Sequence, residues 1–297
     1  MTPAPFRPGI ADLLSRRRQQ LAGRRVGLIT HLAAVDGDGF ATADLLQRDP
    51  EVNLCALFGP EHGLLSAAPA GVPVDTMEHP VYGLPVHSLY GKDRKPSPAM
   101  LRDLDLLVVD LQDLGARPYT YGSTLRLAME ACCEAGLDML VADRPIPLPG
   151  AVDGPLLDPA CRSFVADLPT PMCTGLTPGE TARFLRAALD LDLSLAVAPM
   201  RGYRAEARRP PDAPPWIPPS PGIRSWESAR CYLATVFCEA LPEIDHGRGT
   251  GLAFQVLGTP AVGGAALLDR LGETPQAGVR LLRQAYVAGG GMHAGRL

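Results

Sequence analysis

The sequence predicts an α/β protein, a parallel sheet flanked by helices and followed by a smaller C-terminal lobe. Three observations predict it. Five short apolar runs are continuous rather than alternating, as strands covered on both faces require. Helical patterns lie between several of them. Each run is followed by polar residues, and in open α/β sheets ligands bind outside the carboxyl ends of the strands.

The runs are "RRVGLIT" (24–30), "VNLCALFG" (52–59), "LDLLVVDL" (104–111), "LDMLVADR" (137–144) and "LSLAVAPM" (193–200). "FATADLLQRD" after the first run reads as helix. "STLRLAMEACCEAG" (123–136) reads as a helix closed by Gly136, a good C-terminal cap. "TPGETARFLRAALDLD" (177–192) opens with Thr177 and has Glu180 three residues on, the spacing of a capping box. After Met200 the composition shifts. "RRPPDAPPWIPPSPG" (208–222) is too rich in proline for regular structure and reads as a linker or wall-forming loop. Two helical segments, 225–241 and 264–286, flank "HGRGT" (246–250). The expected division is residues 1–205 as the α/β domain and 206–297 as a smaller, shortened α/β lobe.

A chain of 297 residues is long enough for more than one compact unit. Hydrophobic residues make up 46% and charged residues 20%, ordinary values for a globular protein. A net charge of −4 gives no basic surface for nucleic acid. No window reaches 18 uninterrupted apolar residues, so no membrane partner is expected. The N-terminus shows no apolar signal core. Seven cysteines, an odd number without a CxxC pair, argue against a disulfide framework and for a reducing, cytoplasmic compartment. The only lysines are Lys92 and Lys95, both in "LYGKDRKPS".

The strand ends supply the candidate site. The first run leads to His31, the second to Glu61 and His62, the third to Asp110, Gln112 and Asp113, then Arg117, Tyr119 and Tyr121, and the fourth to Asp143 and Arg144. In "GPEHG", a glutamate fixed at a strand end by proline and glycine and partly desolvated suits a general acid; capping the next helix or pairing with an arginine would occupy it equally well. Asp110, Gln112 and Asp113 suit binding of hydroxyls, Arg117 suits bidentate binding of a carboxylate, and the two tyrosines suit stacking on a sugar face. Against that stand a loop packed by its own aromatics, an Arg117–Asp113 pair, and a purely structural Asp143–Arg144 pair. No glycine-rich phosphate loop, Walker motif, close metal-ligand spacing or GxSxG elbow is present. Neither cofactor nor metal is expected.

These residues, in this order, resemble a bacterial cell-wall family. "GLIT", "ALFGPEHGL", "GLPVHSLYGKDRKPSPAML", "LDLLVVDLQDLGARPYTYGSTL", "DRPIPLPG", "VDGPLLD", "SFV", "GLTPGE", "PWIPPSPGI" and "GRGT" are similar to the exo-β-N-acetylmuramidases from about residue 24 to residue 260. The resemblance implies a Rossmann-like first domain and a smaller second one with a cleft between them. It implies release of N-acetylmuramic acid from the non-reducing end of peptidoglycan fragments, the partner being a muramic-acid-containing saccharide. Glu61 falls on the family's acidic motif and would protonate the glycosidic oxygen, with Asp110, Asp113 or Asp143 as the second carboxylate. His31, His62, Gln112, Asp113, Arg117, Tyr119, Tyr121, Arg144 and Arg248 would bind the sugar. Glycosidases hold the two carboxyls roughly 5–5.5 Å apart for retention and roughly 6.5–9.5 Å apart for inversion. The sequence departs from the family where Ile146 stands for asparagine, Thr174 for histidine and His31 for asparagine. A catalytically impaired or re-specialised saccharide-binding homologue on the same fold is therefore the alternative.

Overall fold

A computed structural model describes residues 4–205, 209–210, 212–272 and 279–295. The chain divides into two compact units, residues 1–221 and 222–297. The Pro-rich stretch runs to the end of the first unit, and its described residues form neither helix nor strand.

The first unit is built on a seven-stranded sheet. Its strands are β1 (Arg25–Thr30), β2 (Asn53–Gly59), β3 (Met77–Glu78), β4 (Pro85–Ser88), β5 (Leu106–Asp110), β6 (Asp138–Ala142) and β7 (Leu195–Ala198). The spatial order is β3-β4-β2-β1-β5-β6-β7, with every pair parallel except the β3–β4 edge. All five apolar runs are strands. The runs are continuous because the sheet is covered on both faces. Val26, Leu28, Leu57, Phe58, Leu107, Val108 and Val141 have no exposed surface, and each such burial stabilises by about 1.5–3 kcal/mol. The short strands β3, at the sheet edge, and β4, next to it, carry no such run.

Among the described residues the first unit carries α1 (Gly9–Arg16), α2 (Thr42–Arg48), α3 (Pro98–Leu101), α4 (Tyr121–Ala135) and α5 (Pro178–Ala188), and the second unit α6 (Trp226–Thr235) and α7 (Gly264–Gly272). The capping box of α5 forms as expected: the Thr177 hydroxyl accepts from the Glu180 amide, and the Glu180 carboxylate accepts from the Thr177 amide at 2.9 Å. Gly136 ends α4 in the left-handed conformation at φ 62°, where a Cβ would be strained. Helix α1 meets the sheet end-on, the Gly9 amide donating to the Asp143 carbonyl at 2.8 Å. A Cβ on Gly9 would overlap the Asp143 amide nitrogen and the Ala198 carbonyl oxygen. Both atoms are backbone and cannot swing aside. Gly9→Ala is therefore expected to cost about 1–3 kcal/mol or more, read as a lowered urea midpoint. An unchanged midpoint would show that α1 is not docked in this way.

In the second unit, α6 and α7 are joined by turns and the isolated bridge Asp245–Gly258. The described residues there carry helices and this bridge, where an α/β lobe is the expectation. The segment 264–286 is helical over Gly264–Gly272, and residues 273–278 lie outside the described residues.

Candidate active site

The chain runs β1, β2, β4 outward in one direction and β5, β6, β7 in the other, so the order reverses between β1 and β5. Ligands of open α/β sheets bind at such a reversal. Here the protein's own side chains fill it. The Gln112 amide donates to His31 Nε2 at 2.9 Å, which places the ring proton on Nδ1, 3.0 Å from the Ser66 hydroxyl. Burial, then the charge of Arg144, then His62, hold the His31 pKa well below its ordinary 6.5. His31 is thus a neutral structural group with both nitrogens occupied, rather than one turned to a ligand. Below pH 6.5 the unfolded chain takes up a proton that folded His31 refuses. Stability should therefore fall with falling pH, by up to about 1.4 kcal/mol per pH unit from this group. Urea titrations at about pH 7.5 and about pH 5.5 should show that loss, and His31→Gln should flatten it. An equal slope in the variant would contradict the assignment.

Asp110 ends β5 with no exposed surface. Its two oxygens accept from Arg144 Nε and, at 2.8 Å, from Arg144 Nη2, and the Thr42 hydroxyl also donates to it. This fork-to-fork geometry uses the guanidinium bidentately. Asp110 and Arg144 therefore hold each other, and neither is placed as acid or ligand. The Asp143–Arg144 side-chain pair considered above does not form. Instead Asp143 accepts from the amides of Gly179 (2.8 Å) and Arg144 (3.0 Å) and from the Thr177 hydroxyl (3.0 Å), tying β6 to the start of α5. Burial pushes its carboxyl up to about 6, against those donors.

Arg117 does not pair with Asp113. Its Nη1 donates to the carbonyls of Thr170 (2.6 Å) and Pro155 (3.0 Å), and only 8% of the residue is exposed. The side-chain amide of Gln112 donates to the carbonyls of Pro145 and Asp113. Each of these polar groups reads as site-like in sequence because its partner is backbone and leaves no trace there. Arg248, in the second unit, is half-exposed and pairs with Glu239 at 3.0 Å.

Glu61 is placed differently. After β2 the chain turns tightly, the Gly63 amide donating to the Pro60 carbonyl at 2.9 Å, with His62 and Gly63 both left-handed at φ 71° and 74°. A non-glycine residue held there stores local strain of order 1–3 kcal/mol, a feature that clusters at functional sites. His62 Nδ1 donates to the Ala68 carbonyl at 2.7 Å and fastens the loop. The Glu61 carboxyl is thereby drawn in, 7% exposed. Its Oε1 accepts from the Gly71 amide at 2.8 Å and its Oε2 from the Thr120 hydroxyl at 2.6 Å. No arginine or lysine pairs with it among the described residues. The pairing and helix-capping roles considered for it above are not what the structure shows.

Around this carboxyl stand three tyrosines. Burial, and then the Glu61 charge, push the Tyr90 phenol up. Tyr119 and Tyr121 meet edge to face at 4.7 Å, and burial raises both phenols. The Tyr121 hydroxyl donates to the Pro219 carbonyl at 2.6 Å, so the Pro-rich stretch closes over the start of α4. Asp113 lies on the same side. Its Oδ1 accepts from the Gly115 amide at 2.7 Å. Its Oδ2 lies against Gly122, whose added Cβ would stand 3.9 Å away. Burial pushes this carboxyl up to about 6. Gly71, Tyr90 and Thr120 escape sequence reasoning, since neutral groups far apart in the chain carry no spacing signal. Ile146 is 1% exposed and sits against Gly115, so this departure from the family pattern belongs to the core. No metal-ligating cluster of three acidic, histidine or cysteine side chains occurs among the described residues, and no described helix is long and apolar enough to cross a membrane.

Comparison with known proteins converges on one family. Residues 26–227 match the family model "Exo-beta-N-acetylmuramidase NamZ, N-terminal", and residues 230–297 match its C-terminal counterpart. A peptidoglycan β-N-acetylmuramidase, NamZ, of Bacillus subtilis (strain 168) is 38% identical over 290 residues, covering 97% of this chain and 70% of that protein. Two DUF1343 family crystal structures from Bacteroides fragilis NCTC 9343 are similar. One has a TM-score of 0.83 at 37% identity, covering 90% of this chain and 69% of the other; the second has 0.78 at 27%, covering 99% and 75%.

Proposed function

This chain belongs to the exo-β-N-acetylmuramidase NamZ family, and on that premise we propose that it is a glycoside hydrolase acting on peptidoglycan fragments and releasing terminal N-acetylmuramic acid from their non-reducing end. The observation that carries the mechanism is the seat of Glu61: a carboxyl 7% exposed, without a cationic partner among the described residues, and fixed by one backbone amide and one hydroxyl. Such a group has a defined position and can exchange a proton without first breaking an ion pair. Glu61 protonates the glycosidic oxygen as the bond to the departing sugar breaks.

Of the three acids considered for the second role, Asp110 is spent on Arg144 and Asp143 on the start of α5. Asp113 has one oxygen on the Gly115 amide and the other against Gly122. Asp113 is therefore the second carboxylate, stabilising positive charge at the anomeric centre or activating water. Tyr119 and Tyr121, 5% and 1% exposed and packed edge to face, back the site, and the hydroxyl of Tyr90 stands beside Glu61. All seven cysteines are unpaired, which favours a reducing, cytoplasmic setting in which the substrates are recycled wall fragments.

Release of the aryl group from a chromogenic N-acetyl-β-muramoside tests the reading, with Glu61→Gln and Asp113→Asn beside the wild type. The wild type should turn over, Asp113→Asn should fall by about 10²-fold or more, and Glu61→Gln should fall by about 10-fold or less, because an activated aryl group departs without protonation. Calorimetric binding of muramyl sugars without turnover by the wild type would instead show a saccharide-binding protein on this fold.

A further inference from the structure

The loop that follows β4 carries positive charges that the mechanism leaves unused. Lys95 is taken by Glu134 at 2.6 Å. Arg94 is half-buried, and among the described residues no carboxylate pairs with it. Its guanidinium carbon instead lies 3.6 Å from the centroid of the Tyr90 ring and 4.5 Å from that of Phe164. The two rings are tilted at 54°, with centroids 5.6 Å apart. A guanidinium seated on aromatic faces is held in place, and the N–H groups not turned to the Tyr90 hydroxyl stay available for a planar anion. Tyr90, its platform, is the residue whose phenol feels Glu61 on one side and Arg94 on the other. A fixed cation without a carboxylate partner thus stands one aromatic ring away from the acid.

We infer that Arg94, seated on Tyr90 and Phe164, is the group that recognises the carboxylate of the substrate and so separates N-acetylmuramic acid from sugars that lack it. The inference rests on the glycosidase reading above and names the specificity of the same site. In muramic acid the carboxylate hangs from a lactyl ether on C3, two ring bonds from the anomeric carbon. Tyr90 borders both Glu61 and Arg94, so a lactyl carboxylate two ring bonds from the reacting carbon has a cation within the same neighbourhood. The arginines that the sequence offers for this role are otherwise engaged, Arg117 on two carbonyls and Arg144 on Asp110. Arg94 lies in a stretch noted above for its lysines and for its likeness to the family, not as a binding residue.

Calorimetric titration of the whole protein with N-acetylmuramic acid, its methyl ester and N-acetylglucosamine tests this without requiring turnover. The wild type should bind the acid more tightly than either neutral sugar. Arg94→Gln should weaken the acid by about 10- to 100-fold, the loss of a charged hydrogen-bonded contact, and leave the ester within about twofold. Arg94→Lys, which keeps the charge and loses the fork, should fall between. Retained ester binding also shows that the variant is folded. Equal losses for acid and ester, no loss for either, or a wild type that does not prefer the acid would each overturn the inference. Binding in the expected pattern by a protein that releases no aryl group would overturn the hydrolase reading and leave Arg94 standing.

Discussion

Glu61→Gln is expected to lower kcat on a muramoside with a sugar leaving group by about 10²- to 10⁴-fold, the range that one positioned general acid contributes. The variant should fold and bind almost as the wild type does. A glutamine oxygen can still accept from the Gly71 amide, and the Thr120 hydroxyl can turn to accept from the new amide group. What the amide cannot do is release a proton. The loss should therefore appear in kcat, with KM changed little, as for an interaction made only in the transition state. A circular dichroism spectrum and thermal midpoint matching those of the wild type would exclude misfolding. A kcat within about threefold of wild type would remove Glu61 from the chemistry.

The second large effect is on stability. Arg144→Met leaves the Asp110 carboxylate buried with only Thr42 beside it, where the two side chains of the pair are now 4% and 0% exposed. Removing one member of a buried pair costs about 3–5 kcal/mol, because the other is left without compensation. Asp110→Asn with Arg144→Met should recover much of that loss, since no charge then remains. Urea denaturation of the four proteins, with the double variant closing the cycle, reads this coupling. Additive losses would show that the two side chains do not act as a pair. The same experiment bears on function, because Asp110 and Arg144 fill the sheet reversal that would otherwise be open to a ligand.

Most of the sheet was legible in the sequence. Five continuous apolar runs can only be strands buried on both faces, and Thr177, Glu180 and Gly136 marked helix ends through local backbone chemistry. Strands β3 and β4 were not legible, being two and four residues long, the first at the sheet edge and the second beginning with proline. Helix α1 is short and starts at Gly9 behind a proline, so its apolar face shows few turns of pattern. The acid at position 61 was legible because "GPEHG" fixes a turn whatever surrounds it. The choice of partners was not. Arg144 could meet Asp143 beside it or Asp110 34 residues away, and only the register of β5 on β6 decides. Arg117 reads as an anion binder until two distant carbonyls claim it. Arg94 was the converse case, a charge not named among the candidate site residues that folding leaves without an acidic partner among the described residues.

The proton donated by Glu61 is the centre of the mechanism, and leaving-group dependence tests it most directly. A dinitrophenyl muramoside departs without protonation, whereas a muramyl disaccharide does not. The ratio of wild-type to Glu61→Gln rates should then be about 10³ for the disaccharide and about 10 or less for the aryl glycoside. A ratio equal for both substrates would show that Glu61 holds the sugar and does not protonate the bond that breaks.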